Sequence, residues 1–249
     1  MELLRNGSHG SEIITLMAGD SADAKKIIKA SSTPEGMRCL SAELAGWDWY
    51  QKRRYPKRKT PVCRVIQQNG RYMKVEIEYI QGHKGEAWKG LENNAAVVLS
   101  ALRHYQKVWP GQGDEKAPFH GDLSVDNIIT NSDGTHFIDW EHFRAEAAPW
   151  GFDGLYLIFE TLWFGMRTRQ MPAEAEIRTV IAGINSLNSE GRLSSRMVRS
   201  PLRAVREFIK ENIGLWGGQL QRFPDKLPVH MFSEEQTEII DQMTSRGMN

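Results

Sequence analysis

Cysteine is scarce in this chain: Cys39 and Cys63 are the two among 249 residues, and neither belongs to a C-x-x-C pair or sits at metal spacing from a histidine. That spacing excludes a disulfide framework and a conventional cysteine zinc site. Both thiols have apolar neighbours (Met37 and Leu40; Val62 and Val65), so buried free thiols are expected, as suits a reducing cytoplasm. An excess of one charge is also missing, since 32 basic residues face 31 acidic ones. Proteins that hold nucleic acid need a dominant basic face, so no nucleic-acid partner is expected. The one local basic run, from Arg53 to Lys59, contains Pro56 and reads as a solvated loop rather than a phosphate-contacting patch. Long apolar runs are absent too. The longest, Leu155 to Phe164, is interrupted by Glu160 and is too short to cross a bilayer. Met1 to Gly10 lacks the apolar centre of a signal peptide, and a cytoplasmic protein is expected.

What is present is ordinary globular composition, with charged residues at 25% and apolar ones at 40%. The length suits one large domain or two smaller ones around a cleft. The first third reads as strands with one helix. Glu12 to Met17 is β-rich and follows a turn at Asn6–Gly10, and Lys25 to Ala30 is a short apolar strand carrying lysines. Pro34 to Gln51 has helical spacing, with Leu40, Leu44, Trp47 and Tyr50 near one face. Val62 to Gln68 and Arg71 to Ile80 form a hairpin about the turn Asn69-Gly70, and Val75, Ile77 and Tyr79 alternate with charged residues.

Beyond Gly82 the pattern turns helical. Leu91 to Tyr105 has one apolar face and is followed by the breaker Pro110. Phe152 to Phe164 is apolar and aromatic. Pro172 to Ile184 opens with a proline suited to a first turn, and Ser200-Pro201 begins another helix. Ser233 to Gln236 matches a capping box, with Ile239, Ile240 and Met243 facing inward from the last helix. The fold class expected is α+β, with a smaller antiparallel β-rich N-terminal lobe over residues 1–81 and a larger, mostly helical lobe over residues 82–249.

Chemistry concentrates in Phe119-His120-Gly121-Asp122-Leu123-Ser124-Val125-Asp126-Asn127-Ile128-Ile129 and Phe137-Ile138-Asp139-Trp140-Glu141. Asn131 to Thr135 is a turn between two apolar runs. A three-residue loop Ser132–Gly134 would set Asn131 opposite Thr135 and, counting outward, Asn127 opposite Asp139. An amide oxygen and a carboxylate at one hairpin mouth suit a hard cation such as Mg²⁺. Asp122, on the loop entering the first strand, can face the same mouth as a general base.

The pattern H-G-D-L-x-x-x-N followed by I-D-W-E resembles the aminoglycoside phosphotransferase and choline kinase superfamily, which has the two-lobed protein-kinase-like fold. The resemblance implies an ATP- and Mg²⁺-dependent kinase acting on a small-molecule hydroxyl. Asp122 would be the catalytic base, Asn127 and Asp139 the Mg²⁺ ligands, and His120 a structural hub. Glu141 would add a carboxylate near metal or substrate. A kinase also needs a strand lysine on the phosphates and a helix glutamate to orient it. Lys29 and Glu43 fit those roles; Lys25 and Lys26 compete with Lys29, and Glu35 with Glu43. Register decides, because Ile27 and Lys29 share a face and Lys26 points to the other. Ser8 and His9, in Gly7-Ser8-His9-Gly10, would form the turn covering the phosphates, and Glu78 and Ile80 the lobe-connecting segment whose backbone meets adenine.

Other readings exist. A hydrolase could use His120, Asp122, Asp139 and His142 as a metal cluster, yet Asn127, Lys29 and Glu43 would then have no role. A pseudokinase or nucleotide-binding interaction module would retain the same residues without turnover. A protein kinase needs D-F-G and A-P-E elements, which Asp139-Trp140-Glu141 and Ala148-Pro149-Trp150 do not supply. The acceptor is open between amino alcohol, sugar and aminoglycoside. Trp140, Trp150, Tyr156 and Trp163 with Asp153 and Glu160 could line a pocket for a cationic group, but the helical spacing of Phe152, Tyr156, Phe159 and Trp163 favours core.

Overall fold

Pro34 opens the first helix from its first position, where a missing N–H costs nothing, and Thr33 Oγ1 accepts the Gly36 N–H at 3.1 Å as its N-cap. With Glu35 in the first turn and Lys52, Arg53 and Arg54 in the last, the charges complement the dipole of this helix, α1 (Pro34–Arg54). A computed structural model of the chain describes residues 2–6, 13–19, 25–54, 62–216 and 232–248. Ser8 and His9 lie outside the described residues, as does most of the basic run.

The chain divides into two compact units. The first comprises Met1–Gln81 together with Asp139–Arg144. Its sheet has strands β1 (Glu2–Asn6), β2 (Ile14–Ala18), β3 (Lys26–Ser31), β4 (Cys63–Asn69) and β5 (Tyr72–Glu78) in the order β1-β2-β3-β5-β4. Every pairing is antiparallel. Met73, Val75 and Ile77 are buried and alternate with half-exposed Lys74 and Glu76, as period-2 patterning requires. They pair with Ser31, Lys29 and Ile27 on the same face, against α1. Asn69 pairs with Tyr72, so the turn is Gly70-Arg71, one residue later than the Asn69-Gly70 expected. The reason is local: Asn69 Oδ1 accepts the Arg71 N–H at 2.9 Å, a side-chain imitation of a turn.

Trp140 anchors the separate segment Asp139–Arg144 in this unit. It is fully buried, with its ring 5.0 Å from Tyr50, 5.8 Å from Trp49 and 6.4 Å from Trp47. Gly46 makes the approach possible, since a Cβ there would stand 2.5 Å from Trp140 Cβ.

The second unit comprises Gly82–Ile138 and Ala145–Asn249. Helices α2 (Gly90–Val108), α3 (Phe152–Met166), α4 (Glu174–Leu187), α5 (Ser195–Arg199), α6 (Pro201–Glu211) and α7 (Glu234–Met248) dominate it. Helix α3 is buried almost continuously from Phe152 to Leu162 and packs on α2, α4 and α6, so its apolar surface is central rather than one-sided. Pro201 stands at the first turn of α6, as expected. Helix α4 instead starts at Glu174, with Pro172 before the cap Ala173. Ser233 and Gln236 form the reciprocal capping box of α7, at 3.0 Å each way, but the face buried by that helix carries Thr237, Ile240, Asp241 and Thr244.

Small β elements complete the unit: β6 (His83–Lys84), β7 (Lys116–Phe119), β8 (Ile128–Asn131), β9 (Gly134–Phe137) and β10 (Arg144–Pro149), with β6-β8-β9 as one sheet and β7-β10 as another. Among the described residues no helix is long and apolar enough to cross a membrane.

Candidate active site

In the first unit, β3 presents Lys29 to the buried side of the sheet and Lys26 to the other, where Lys26 Nζ meets Glu76 at 2.9 Å. Lys25 lies over the Tyr79 ring. Register thus sets Lys29, not Lys26, on the side that faces Glu43. Lys29 Nζ is 2.8 Å from Glu43 Oε2, 2.5 Å from Asp139 Oδ1 and 3.4 Å from Glu141 Oε1. Glu43 is 1% exposed, on the α1 stripe that also buries Leu40, Trp47 and Tyr50, and its Oε1 accepts the Trp47 Nε1–H at 3.0 Å. Glu35 instead pairs with Arg38 on the exposed side.

Burial by itself would lower the Lys29 pKa, yet the combined attraction of Asp139, Glu43 and Glu141 holds it well above the ordinary lysine value. Burial pushes Glu141 up to about 8, with the Asp139 charge adding to the shift. One oxygen from each of Glu43, Asp139 and Glu141 lies within 4.8 Å of the others. Three oxygen-donor carboxylates against one ammonium form a donor set that suits a hard divalent cation. Asp139 also has φ +66°, the one non-glycine residue with positive φ among the described residues. Such a conformation costs about 1–3 kcal/mol and is found where the surroundings over-determine it. His142, named in the hydrolase reading, has its pKa lowered to about 4 by burial.

The second unit carries the loop His120-Gly121-Asp122. His120 is fully buried. Its Nδ1 accepts the Asp122 N–H at 3.4 Å, and its Nε2 lies 3.0 Å from the Ile138 carbonyl, an arrangement that suits donation from Nε2. Asp153, at the start of α3, accepts the His120 N–H at 2.9 Å and the Gly121 N–H at 3.1 Å. Burial pushes its carboxyl up to about 7, against the opposing pull of those two bonds. Asn127 Nδ2 donates to the Asp122 carbonyl at 2.8 Å and to Asp122 Oδ2 at 3.0 Å. Both acceptors demand the NH₂ end, so the amide oxygen is turned the other way and accepts no hydrogen bond among the described residues.

The hairpin register differs from expectation. Asn131 pairs with Gly134, the loop is the two-residue Ser132-Asp133, and the Ile138 N–H bonds the Asn127 carbonyl at 3.0 Å. Asn127 therefore stands opposite Ile138, not Asp139. Asn131 causes the slip: its Oδ1 accepts the Asp133 N–H at 2.9 Å, and Gly134 takes φ +104°. A one-residue slip reverses the side-chain faces. Asp139 follows this pairing in the chain with its left-handed backbone, so alternation along the strand no longer sets its direction.

Residues at the other expected positions are less informative. Glu78 ends β5 with its N–H donated to the Val62 carbonyl at 2.7 Å. Ile80 follows, half-buried, and its backbone makes no hydrogen bond among the described residues. The aromatic set expected for a pocket is largely packed within each unit. Trp140 belongs to the first unit, Trp150 lies under the Arg192 guanidinium at 4.0 Å, and Trp163 under Arg167 at 4.7 Å. Phe152, Tyr156 and Phe159 are core. Glu160 is buried with Oε2 lacking a hydrogen-bond partner among the described residues; burial, then the charges of Asp122 and Asp126, raise its pKa well above the usual value.

Two contributors escaped the sequence reading of the loop. They are Asp153, which the sequence suggests as pocket lining, and Trp216, whose Nε1–H donates to the Gly121 carbonyl at 2.5 Å. The spacing from Gly121 is 32 residues in one case and 95 in the other, so no local pattern marks them.

The chain matches no protein-family model, and no curated protein matches it. Among solved structures it is similar to an amicoumacin kinase, hAmiN, in complex with AMP-PNP, Ca²⁺ and Ami, at 13% identity and a TM-score of 0.57, over 98% of this chain and 86% of that one. At that identity the likeness speaks to architecture alone. An antiparallel β-rich N-terminal part followed by a helical C-terminal part is the α+β, protein-kinase-like fold expected from the sequence.

Proposed function

We propose that this chain is a kinase that transfers the γ-phosphoryl group of Mg-ATP to a hydroxyl of a small molecule. The observation that carries the reading is the buried Lys29–Glu43 pair at 2.8 Å, with Asp139 on the same ammonium. A lysine held by a helix glutamate and facing a carboxylate is the equipment that phosphate positioning requires. The similarity to a solved small-molecule kinase supports the same reading.

In this mechanism Lys29, oriented by Glu43, neutralises phosphate charge. Asn127 and Asp139 would supply the oxygens that hold Mg²⁺, with Glu141 as a further carboxylate. When bound, the ion neutralises charge on the β- and γ-phosphate oxygens. Asp122 accepts the acceptor hydroxyl's proton late in transfer, and its carboxylate is oriented for this by the Asn127 amide. Ser8 and His9 would cover the phosphates, and the backbone of Glu78 and Ile80 would meet adenine. The acceptor class is an amino alcohol, sugar or aminoglycoside, with a cytoplasmic location and no nucleic-acid partner.

The test is Mg-ATP consumption across choline, ethanolamine, sugars, nucleosides and aminoglycosides, with Asp139→Ala in parallel. Mg²⁺-dependent turnover on one alcohol is expected, with Asp139→Ala reduced by about 10²–10³, the loss typical of a preorganised charge contact. Near-normal turnover in that variant would overturn the metal assignment. Mg-ATP binding without transfer to any alcohol would favour a nucleotide-binding interaction module.

A further inference from the structure

Gly121 lies between His120 and Asp122 at φ +85°, a conformation that only a residue without Cβ adopts freely. The plane of the peptide joining Gly121 to Asp122 is therefore poorly restrained by local sterics, and that peptide carries the proposed base. Its N–H is held within the loop, by His120 Nδ1 at a long 3.4 Å, and its carbonyl is held from outside the loop, by Trp216 at 2.5 Å. Asp153 takes the N–H groups of His120 and Gly121, while Trp216 takes the carbonyl of Gly121.

Trp216 ends the short 3₁₀ turn Ile213–Trp216 that follows α6, and it is 2% exposed. Its ring meets Phe119 edge-on at 5.1 Å and 86°, and Phe152 at 6.2 Å and 62°. Phe119 immediately precedes His120, and Phe152 immediately precedes Asp153. The indole thus packs beside both anchors of the loop while its single donor restrains the remaining free group. Indole N–H donates and cannot accept, so the bond has one polarity and fixes which way the Gly121 carbonyl faces.

We propose that Trp216 is a positioning residue for phosphoryl transfer: by holding the Gly121 carbonyl it fixes the peptide that carries Asp122. The inference rests on Asp122 acting as the base. A consequence is that the 3₁₀ turn Ile213–Trp216, which follows α6, is required for turnover.

The test replaces the N–H and keeps the ring. Trp216→Phe, and site-specific incorporation of benzothienylalanine at position 216 for the same loss with the bicyclic shape retained, are compared with Asp122→Asn and with the double variant Asp122→Asn/Trp216→Phe. Mg-ATP turnover is measured with the most active acceptor among choline, ethanolamine, glucose, adenosine and kanamycin, or with water as acceptor if none is used. Each variant's melting temperature is recorded, and Ile240→Ala, a buried change in α7, serves as a control for stability alone. Loss of one buried hydrogen bond is expected to lower kcat by about tenfold in both position-216 variants. KM for Mg-ATP should change less than about twofold, because a contact acting only on the base is absent from ground-state nucleotide binding. The double variant should be no slower than Asp122→Asn, since the two residues act through one group. Unchanged kcat at position 216, a loss matched by Ile240→Ala at equal melting temperature, or additive losses in the double variant would overturn the inference while leaving Asp122 as base. Full turnover in Asp122→Asn would instead remove the base assignment, and this inference with it.

Discussion

Lys29 Nζ stands 2.8 Å from Glu43 Oε2, with both side chains sealed between a strand and the helix that follows it. The pair is one contact in a cluster that also holds Asp139 and Glu141, so removing the ammonium takes the Lys29 charge away from three buried or half-buried carboxylates. Such a vacancy is more damaging than removing both partners of an ion pair.

Lys29→Met is accordingly expected to lower unfolding free energy at pH 7 by about 3–5 kcal/mol and to abolish measurable phosphoryl transfer. Lys29→Met/Glu43→Leu should recover part of that stability without recovering activity. Urea denaturation of the three proteins at one pH checks the order; a double variant less stable than the single one would contradict it.

Asp153 supplies the pH dependence. Its folded carboxyl is pushed up to about 7 by burial, whereas an unfolded aspartate ionises near ~4. A raised folded pKa means that its contribution is complete below the unfolded value and is lost as pH rises through the folded one. The stability difference between wild type and Asp153→Asn should therefore be largest near pH 4 and shrink steadily to pH 7. Turnover should be impaired throughout, because an amide oxygen and an NH₂ cannot both accept the His120 and Gly121 N–H groups. Denaturation curves at three pH values separate the two effects, and a difference that grows with pH would refute the sign.

Gly46 offers a steric test of how Asp139 reaches the cluster. In Gly46→Ala the new Cβ would meet Trp140 Cβ at 2.5 Å, so the ring and the backbone that carries it must move. An overpacking loss of about 1–3 kcal/mol is expected, together with reduced turnover, since Trp140 adjoins both Asp139 and Glu141. Urea denaturation of Gly46→Ala beside wild type checks the loss; unchanged stability would show that the close approach of Trp140 to Gly46 is not needed.

Much of this arrangement was legible in the residues. Alternation in β3 put Lys29 on the face of Ile27 and away from Lys26, and the apolar stripe of α1 put Glu43 on its buried side, because period 2 and period 3.6 each define a side. The H-G-D-L-x-x-x-N spacing marked Asp122 and Asn127 through its resemblance to a kinase family, not through periodicity. The hairpin register was harder. At both Asn69 and Asn131 an asparagine side chain closes the turn and places the first pair at the asparagine itself, an outcome that turn propensity ranks among several. Asn127 therefore stands opposite Ile138 rather than the Asp139 that the turn count suggests.

By itself, the sequence determined the order of strands and helices, the polar residues available for phosphate and proton chemistry, and the breaks between elements. These follow from short-range sterics and hydrophobic periodicity. Tertiary packing alone decided that Asp139 turns back to Lys29 on a left-handed backbone, that Asp153 serves the loop rather than a pocket, and that Trp216 reaches 95 residues back to Gly121. Those partners meet because buried hydrogen-bonding groups must be satisfied wherever the core brings them, and no pattern along the chain records that requirement.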